Sequence, residues 1–298
     1  MKEMKQGLLE SLSAQYRRLR LLYLVYLAAA VLALIFFFVD KRVTLVLIAA
    51  SLIFHLVVVR RCSKAYCLAF VHTCLQSTFE RVLQNAKHTP QSPLDPESLR
   101  QVRLVASNSA KGSVLVREGG TGSYRGRAVA LSDAGFTHTF DMAGKRHHEF
   151  VIGAWVTVAL DHDTGLDCRL IHPKVMMKDS RDPYFSGERD LQQVVSGLPE
   201  WMSRDGWLVL RPRETPQLPD GTFLSALRTL AGKTDRPLAV CIQGDKLHVY
   251  VTNRILGQKV SSRVAPSQAV VDTDFFPELS GILKPVSYTH LDVYKRQK

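Results

Sequence analysis

Paired cysteines are absent from this chain. Its five, Cys62, Cys67, Cys74, Cys168 and Cys241, form no Cys-x-x-Cys pair and leave an odd one over. That excludes a disulfide framework and a zinc site of cysteines, and it fits a reducing compartment. Cys67 and Cys74 are spaced to share one helical face, where small core residues are expected. Phosphate-loop signatures are missing too. The glycine-rich run 119–126 (GGTGSYRG) is followed by Arg127 and Ala128, where a Walker loop needs Lys and Ser/Thr. The dinucleotide fingerprint needs another glycine spacing and a following helix, whereas the next residues read as strand. The run is therefore expected to be a flexible strand connection. No nucleophile elbow is present, and neither repeats nor low-complexity runs occur. Net charge is +12 and the pI about 9.6, but no aromatic-interleaved basic patch or nucleic-acid-reading motif goes with it. Nucleic acid is not an expected partner, and no cofactor is expected; attraction to an anionic membrane surface is.

Charge is also missing where it matters most. Leu21 to Val39 holds 19 residues without one, and Val43 to Val59 is a second apolar run; Asp40-Lys41-Arg42 lies between them. The first run reaches roughly 28 Å as a helix, close to the ~30 Å hydrocarbon thickness of a bilayer. It is too long for a signal-peptide core, and no small-residue cleavage site follows it. Residues 21–59 thus read as a transmembrane helical hairpin. Lys2, Lys5, Arg17, Arg18 and Arg20 precede it, Arg60, Arg61 and Lys64 follow it, and only Lys41 and Arg42 lie in the turn. That asymmetry predicts both termini on the cytoplasmic side of a plasma (inner) membrane. His55, inside the second run, is expected against the partner helix.

Residues 1–20 carry an amphipathic helical pattern, either lying along the inner membrane face or continuing into the first span. Residues 60–86 read as a cytosolic helical extension, and 87–98, with three prolines, as a linker. Residues 99–285 then form a soluble α+β domain with a mainly antiparallel sheet and a few helices. Asp95-Pro96 caps a short helix. Residues 113–117, 124–131, 149–160 and 167–173 read as strands of an antiparallel meander, and 189–198 as a short helix. Residues 207–210 form a strand, and Asp220-Gly221 opens a helix to Leu230. Residues 237–243 and 246–253 form a hairpin across Gly244-Asp245. Asp272 or Asp274 opens a last helix through Leu283. Residues 286–297 (VSYTHLDVYKRQ) resemble a transposase mosaic end joined to its reverse complement and translated, as arises in preparing sequencing libraries. Residues 286–298 are set apart as an artefactual tail; it carries +2 of the +12, leaving +10.

The one metal candidate is Asp161-His162-Asp163, with His147, His148 and His172 near in sequence. Carboxylates and imidazoles are suitable ligands. The same residues are ordinary turn chemistry between strands, and that reading is preferred.

The order of features resembles a bacterial membrane-anchored family, domain of unknown function 3137 (DUF3137-like). The resemblance rests on the hairpin and its extension, and on Tyr124-Arg125-Gly126 through Leu131-Ser132-Asp133. Phe150-Val151-Ile152-Gly153-Ala154-Trp155, the 237–253 hairpin and the Asp272-to-Leu283 helix complete it. It implies a membrane protein with an α+β domain and a LemA-like small membrane protein as a partner, but no catalytic residues. The expected function is a non-enzymatic interaction or ligand-sensing module at the bilayer. The alternative is a membrane-tethered hydrolase or metal-dependent enzyme using Asp161, His162 and Asp163.

Overall fold

The computed structural model describes residues 2–105, 113–142, 144–175, 191–214, 217–234, 236–252, 261–274 and 276–288. The chain divides into two compact units, Met1–Thr78 with Gln258–Phe275, and Phe79–Gly257 with Phe276–Lys298.

The first unit is helical. α1 (Lys2–Phe36) runs unbroken from the amphipathic segment through the first apolar run, so the second of the two expected placements holds. A tight turn follows, and Asp40 caps α2 (Lys41–Phe54) by accepting the Arg42 N–H at 2.7 Å. A π-helical turn, His55–Val59, joins α2 to α3 (Arg60–Glu80). Two helical stretches, Gly7–Phe36 and Lys41–Glu80, are thus long and apolar enough to cross a membrane. The His55 ring lies 5.0 Å from that of Tyr26 on α1, as expected for a histidine facing the partner helix. Below the apolar runs, Leu12 and Leu19 of α1 pack with Tyr66, Phe70 and Cys74 of α3, with Cys67 at the margin. This cluster includes Val271 of α7 (Gln268–Val271), a short helix from far along the chain. The Tyr66 hydroxyl donates to the Val264 carbonyl at 2.6 Å, tying that late segment down. Sequence order assigned these residues to the α+β domain; Tyr16, Tyr66 and Val271 bring them to the helices.

The second unit is α+β, as expected, and holds a nine-stranded antiparallel sheet. Its strands are β1 (Gln84–Thr89), β2 (Val114–Tyr124), β3 (Arg127–Met142), β4 (Lys145–Ala159), β5 (Asp167–Ile171), β6 (Leu191–Gln193), β7 (Leu208–Pro212), β8 (Leu238–Gln243) and β9 (Lys246–Val251). Its helices are α4 (Pro96–Val102), α5 (Glu200–Arg204), α6 (Gly221–Lys233) and α8 (Glu278–Tyr288). The spatial order is β1-β2-β3-β4-β9-β8-β5-β7-β6. Asp95 and Asp220 cap α4 and α6, accepting the N–H groups of Ser98 and Phe223 at 2.8 and 2.7 Å.

Several expectations are corrected. The helix expected to reach residue 86 ends at Glu80, and 84–89, at the start of the expected linker, is an edge strand paired with β2. Glycines 119, 120 and 122 are not a connection: they lie inside β2, all paired with β3 and the first two also with β1. Their reason is packing. A Cβ on Gly120 would sit 2.5 Å from Phe79 Cε2, and one on Gly122 2.9 Å from Leu83 Cβ. The turn itself is Arg125-Gly126, both at positive φ (52° and 83°). Leu191–Gln193 is a strand beside β7, not part of a helix; residues 189 and 190 lie outside the described set, as do 289–298 of the tail. The meander stops at β4, because the β8–β9 hairpin separates β4 from β5.

Both faces of the central strands are buried, since β9 is enclosed at five consecutive residues, 247–251. On one face Phe136, Trp155 and Tyr250 form an aromatic cluster with ring separations of 5.5–6.1 Å. Leu99, Val102, Leu104 and Val105 cover it. The apolar stripes of α6 (Phe223, Leu224, Leu227, Leu230) and α8 (Leu279, Ile282, Leu283) are buried as well.

Candidate functional site

The Asp161–Leu166 loop straps the Gly244-Asp245 turn. Leu160 N–H donates to the Asp245 carbonyl at 2.7 Å, Thr164 N–H to that of Gly244 at 3.1 Å, and Gly244 N–H to that of Leu166 at 3.0 Å. Asp161 takes a forked contact from the Arg127 guanidinium, with Nε 3.1 Å from Oδ2. That contact holds its carboxyl below the usual carboxylate range. Asp163 accepts the Gly165 N–H at 2.8 Å, an Asx turn. The histidines near in sequence go elsewhere. His148 Nδ1 meets Thr139 Oγ1 at 2.9 Å, and the His172 ring stands edge-on to Trp207 at 5.3 Å. The side chain of His147 lies outside the described residues. Among the described residues, no three of His, Cys, Asp and Glu converge on one point.

A polar row crosses the buried sheet. Arg169, Cys241, His248 and Thr157 lie opposite one another on β5, β8, β9 and β4. Arg169 is ion-paired with Asp167 and donates through Nε to the Val102 carbonyl at 3.0 Å. His248 Nδ1 accepts the Trp155 indole N–H at 3.3 Å and lies 3.2 Å from Thr157 Oγ1. Burial pushes His248 down to about 4, helped by the nearby cations of Lys246 and Arg169. Burial pushes the Cys241 thiol up to about 12, far from a reactive thiolate. The row is a satisfied polar layer in the core, without the exposure a nucleophile needs.

A concavity lies elsewhere in the same unit. A cleft of about 1440 Å³ opens between α6, α8 and the Tyr124-Arg125 turn. Gly281 of α8 faces Leu230 of α6, where a Cβ would make an ordinary contact, 3.4 Å from Leu230 Cδ1. Thr252 closes one end by donating its N–H to the Pro237 carbonyl at 3.0 Å. Among the described residues, four cations line the cleft, Arg125, Lys233, Arg236 and Lys284, against one acid, Glu278. All four cations are exposed and Glu278 is half-buried. The Arg125 guanidinium lies 5.7 Å above the Tyr124 ring. Sequence reading did not find this group. Its members are spread over 160 positions and carry no shared motif; only the tight Arg125-Gly126 turn and the amphipathic 221–233 stretch were local signals.

The chain matches no family model, no curated protein and no solved structure.

Proposed function

We propose that this is a bacterial inner-membrane protein with two spans, both termini in the cytosol, and an α+β unit that recognises a ligand or protein partner. The observation that carries the reading is the outward-facing apolar surface of α1 and α2. Leu34 is 65% exposed, Ile35 55%, Leu45 72% and Ile53 62%, with Leu21, Leu24, Leu27, Val46 and Ile48 similarly open. Burying each such side chain is worth roughly 1.5–3 kcal/mol, so about ten of them outweigh the roughly 5–15 kcal/mol net stability of a typical domain. Water is the wrong solvent for this surface, and a bilayer is the right one. The basic residues flanking the apolar runs support the cytosolic placing of both ends. A reporter fused after Val82 tests it: only the form that works in the cytosol should be active, and activity of a periplasm-dependent reporter reverses the orientation.

Recognition without catalysis is supported by the engagement of the candidate ligands, with Asp161 held by Arg127 and Asp163 by its own turn. Zinc or calcium added to the purified chain should leave its melting temperature unchanged. A rise at stoichiometric metal would favour the metal-dependent alternative. DUF3137-like membership and a LemA-like partner belong to the same proposal, carried by the order of elements; co-purification of the two proteins in detergent tests the partner.

A further inference from the structure

We infer that the cleft between α6, α8 and the Tyr124-Arg125 turn binds a phosphate-bearing ligand, a soluble phosphate ester or a lipid headgroup. The inference deepens the recognition reading above and rests on it. Among the described residues, four cations from three places, a hairpin turn, the end of α6 and α8, face one concavity with a single acid among them. Among the described residues, Arg125, Lys233 and Arg236 are in no ion pair, while Asp235 lies outside those residues. A volume of about 1440 Å³ exceeds the roughly 300–1,000 Å³ of ordinary small-ligand pockets, leaving room for a headgroup and its substituents.

Arg125 adds an observation independent of charge. It occupies the first position of a two-residue hairpin turn at φ 52°, where glycine or asparagine fits without strain. A long cationic side chain is kept there, at the lip of the cleft, at a cost of about 1 kcal/mol. Its guanidinium lies over Tyr124, which restricts the fork's orientation. Guanidinium forks match phosphate oxygens two at a time, and lysines add point charge. Along α6, Thr222, Ser225, Thr229 and Lys233 form one stripe on the cleft side. The Thr229 hydroxyl already donates to the Ser225 carbonyl at 3.0 Å, so cations, rather than that hydroxyl, must hold the anion. Because the cations are solvent-exposed, binding should be markedly salt-dependent.

The test uses the full chain in phosphatidylcholine nanodiscs. Inorganic pyrophosphate is titrated calorimetrically in one arm. In the other, hydrogen exchange along residues 221–233 is followed as phosphatidic acid is added to the disc. Pyrophosphate should bind, and the double variant Lys233→Glu/Arg236→Glu should weaken it by about tenfold or more, whereas Arg213→Glu, exposed and outside the cleft, should not. Arg125→Gly should weaken binding while leaving the melting temperature equal or higher, which separates lost recognition from lost folding. If only phosphatidic acid slows exchange, and the double variant abolishes the effect, the headgroup is the ligand and the inference holds. If neither probe distinguishes wild type from the double variant, the inference is overturned. Failure of the chain to enter nanodiscs at all would overturn the membrane reading instead.

Discussion

Replacing His248 with glutamine should flatten the acid side of the stability profile. In the folded protein the imidazole accepts the Trp155 N–H on Nδ1 at 3.3 Å, so the neutral ring carries its proton on Nε2. Protonating Nδ1 would set two donors against each other inside the sheet. The folded-state value is pushed down from 6.5 to about 4, chiefly by burial, then by Lys246 and Arg169, with Asp245 opposing. The unfolded chain therefore takes up this proton first as pH falls, and stability present above about 6.5 is lost progressively down to about 4. Between about pH 7.5 and about pH 5 the loss from this one group comes to about 2 kcal/mol. A glutamine side chain in its place can still accept the indole proton but cannot titrate. Denaturant unfolding in detergent, read by fluorescence, reports the sheet unit, because all three tryptophans (Trp155, Trp201, Trp207) belong to it. The wild type should lose about 2 kcal/mol more than His248→Gln over that interval. Other titrating groups are common to both proteins and cancel. Parallel pH profiles for the two would refute the reasoning.

Gly120→Ala should destabilise the sheet unit by about 1–3 kcal/mol, since its Cβ would meet the fully buried Phe79 ring at 2.5 Å; thermal melts against Gly126→Asn, in open space, measure it. Asp220→Ala should cost about 1 kcal/mol through loss of the α6 cap, and Asp220→Ser should recover most of it in the same melts. Leu27→Arg, near the middle of the first apolar run, should cost roughly 2.5–3.5 kcal/mol of insertion and reduce the carbonate-resistant membrane fraction. Asp161→Asn exchanges one exposed contact with Arg127 and should change stability by no more than about 1 kcal/mol.

Much of the architecture could be read from neighbouring residues. The two apolar runs, the Gly244-Asp245 hairpin and the Asp95 and Asp220 caps each depend on residues within a few positions of one another. The misread places have a common cause. Gly119-Gly120-Thr121-Gly122 looks like a loop because glycine is a turn residue, but here it makes room for Phe79 and Leu83, roughly forty positions away. The 189–198 segment has a helix-like look, yet Leu191–Gln193 meets the free edge of β7 and takes its hydrogen bonds there.

Composition and pattern alone therefore determined that two helices are long and apolar enough to cross a membrane, and which class of fold follows them. A bilayer selects for uninterrupted apolar length, which is a property of consecutive residues. Strand order and the cleft were decided only by the folded chain. β5 pairs with β8 because the β8–β9 hairpin occupies the edge of β4, with the Asp161–Leu166 loop satisfying the turn's backbone groups. Arg125, Lys233, Arg236 and Lys284 share a cleft because a hairpin turn and two helices meet there. Such convergence depends on which surfaces bury together, and residues so far apart carry no local trace of it.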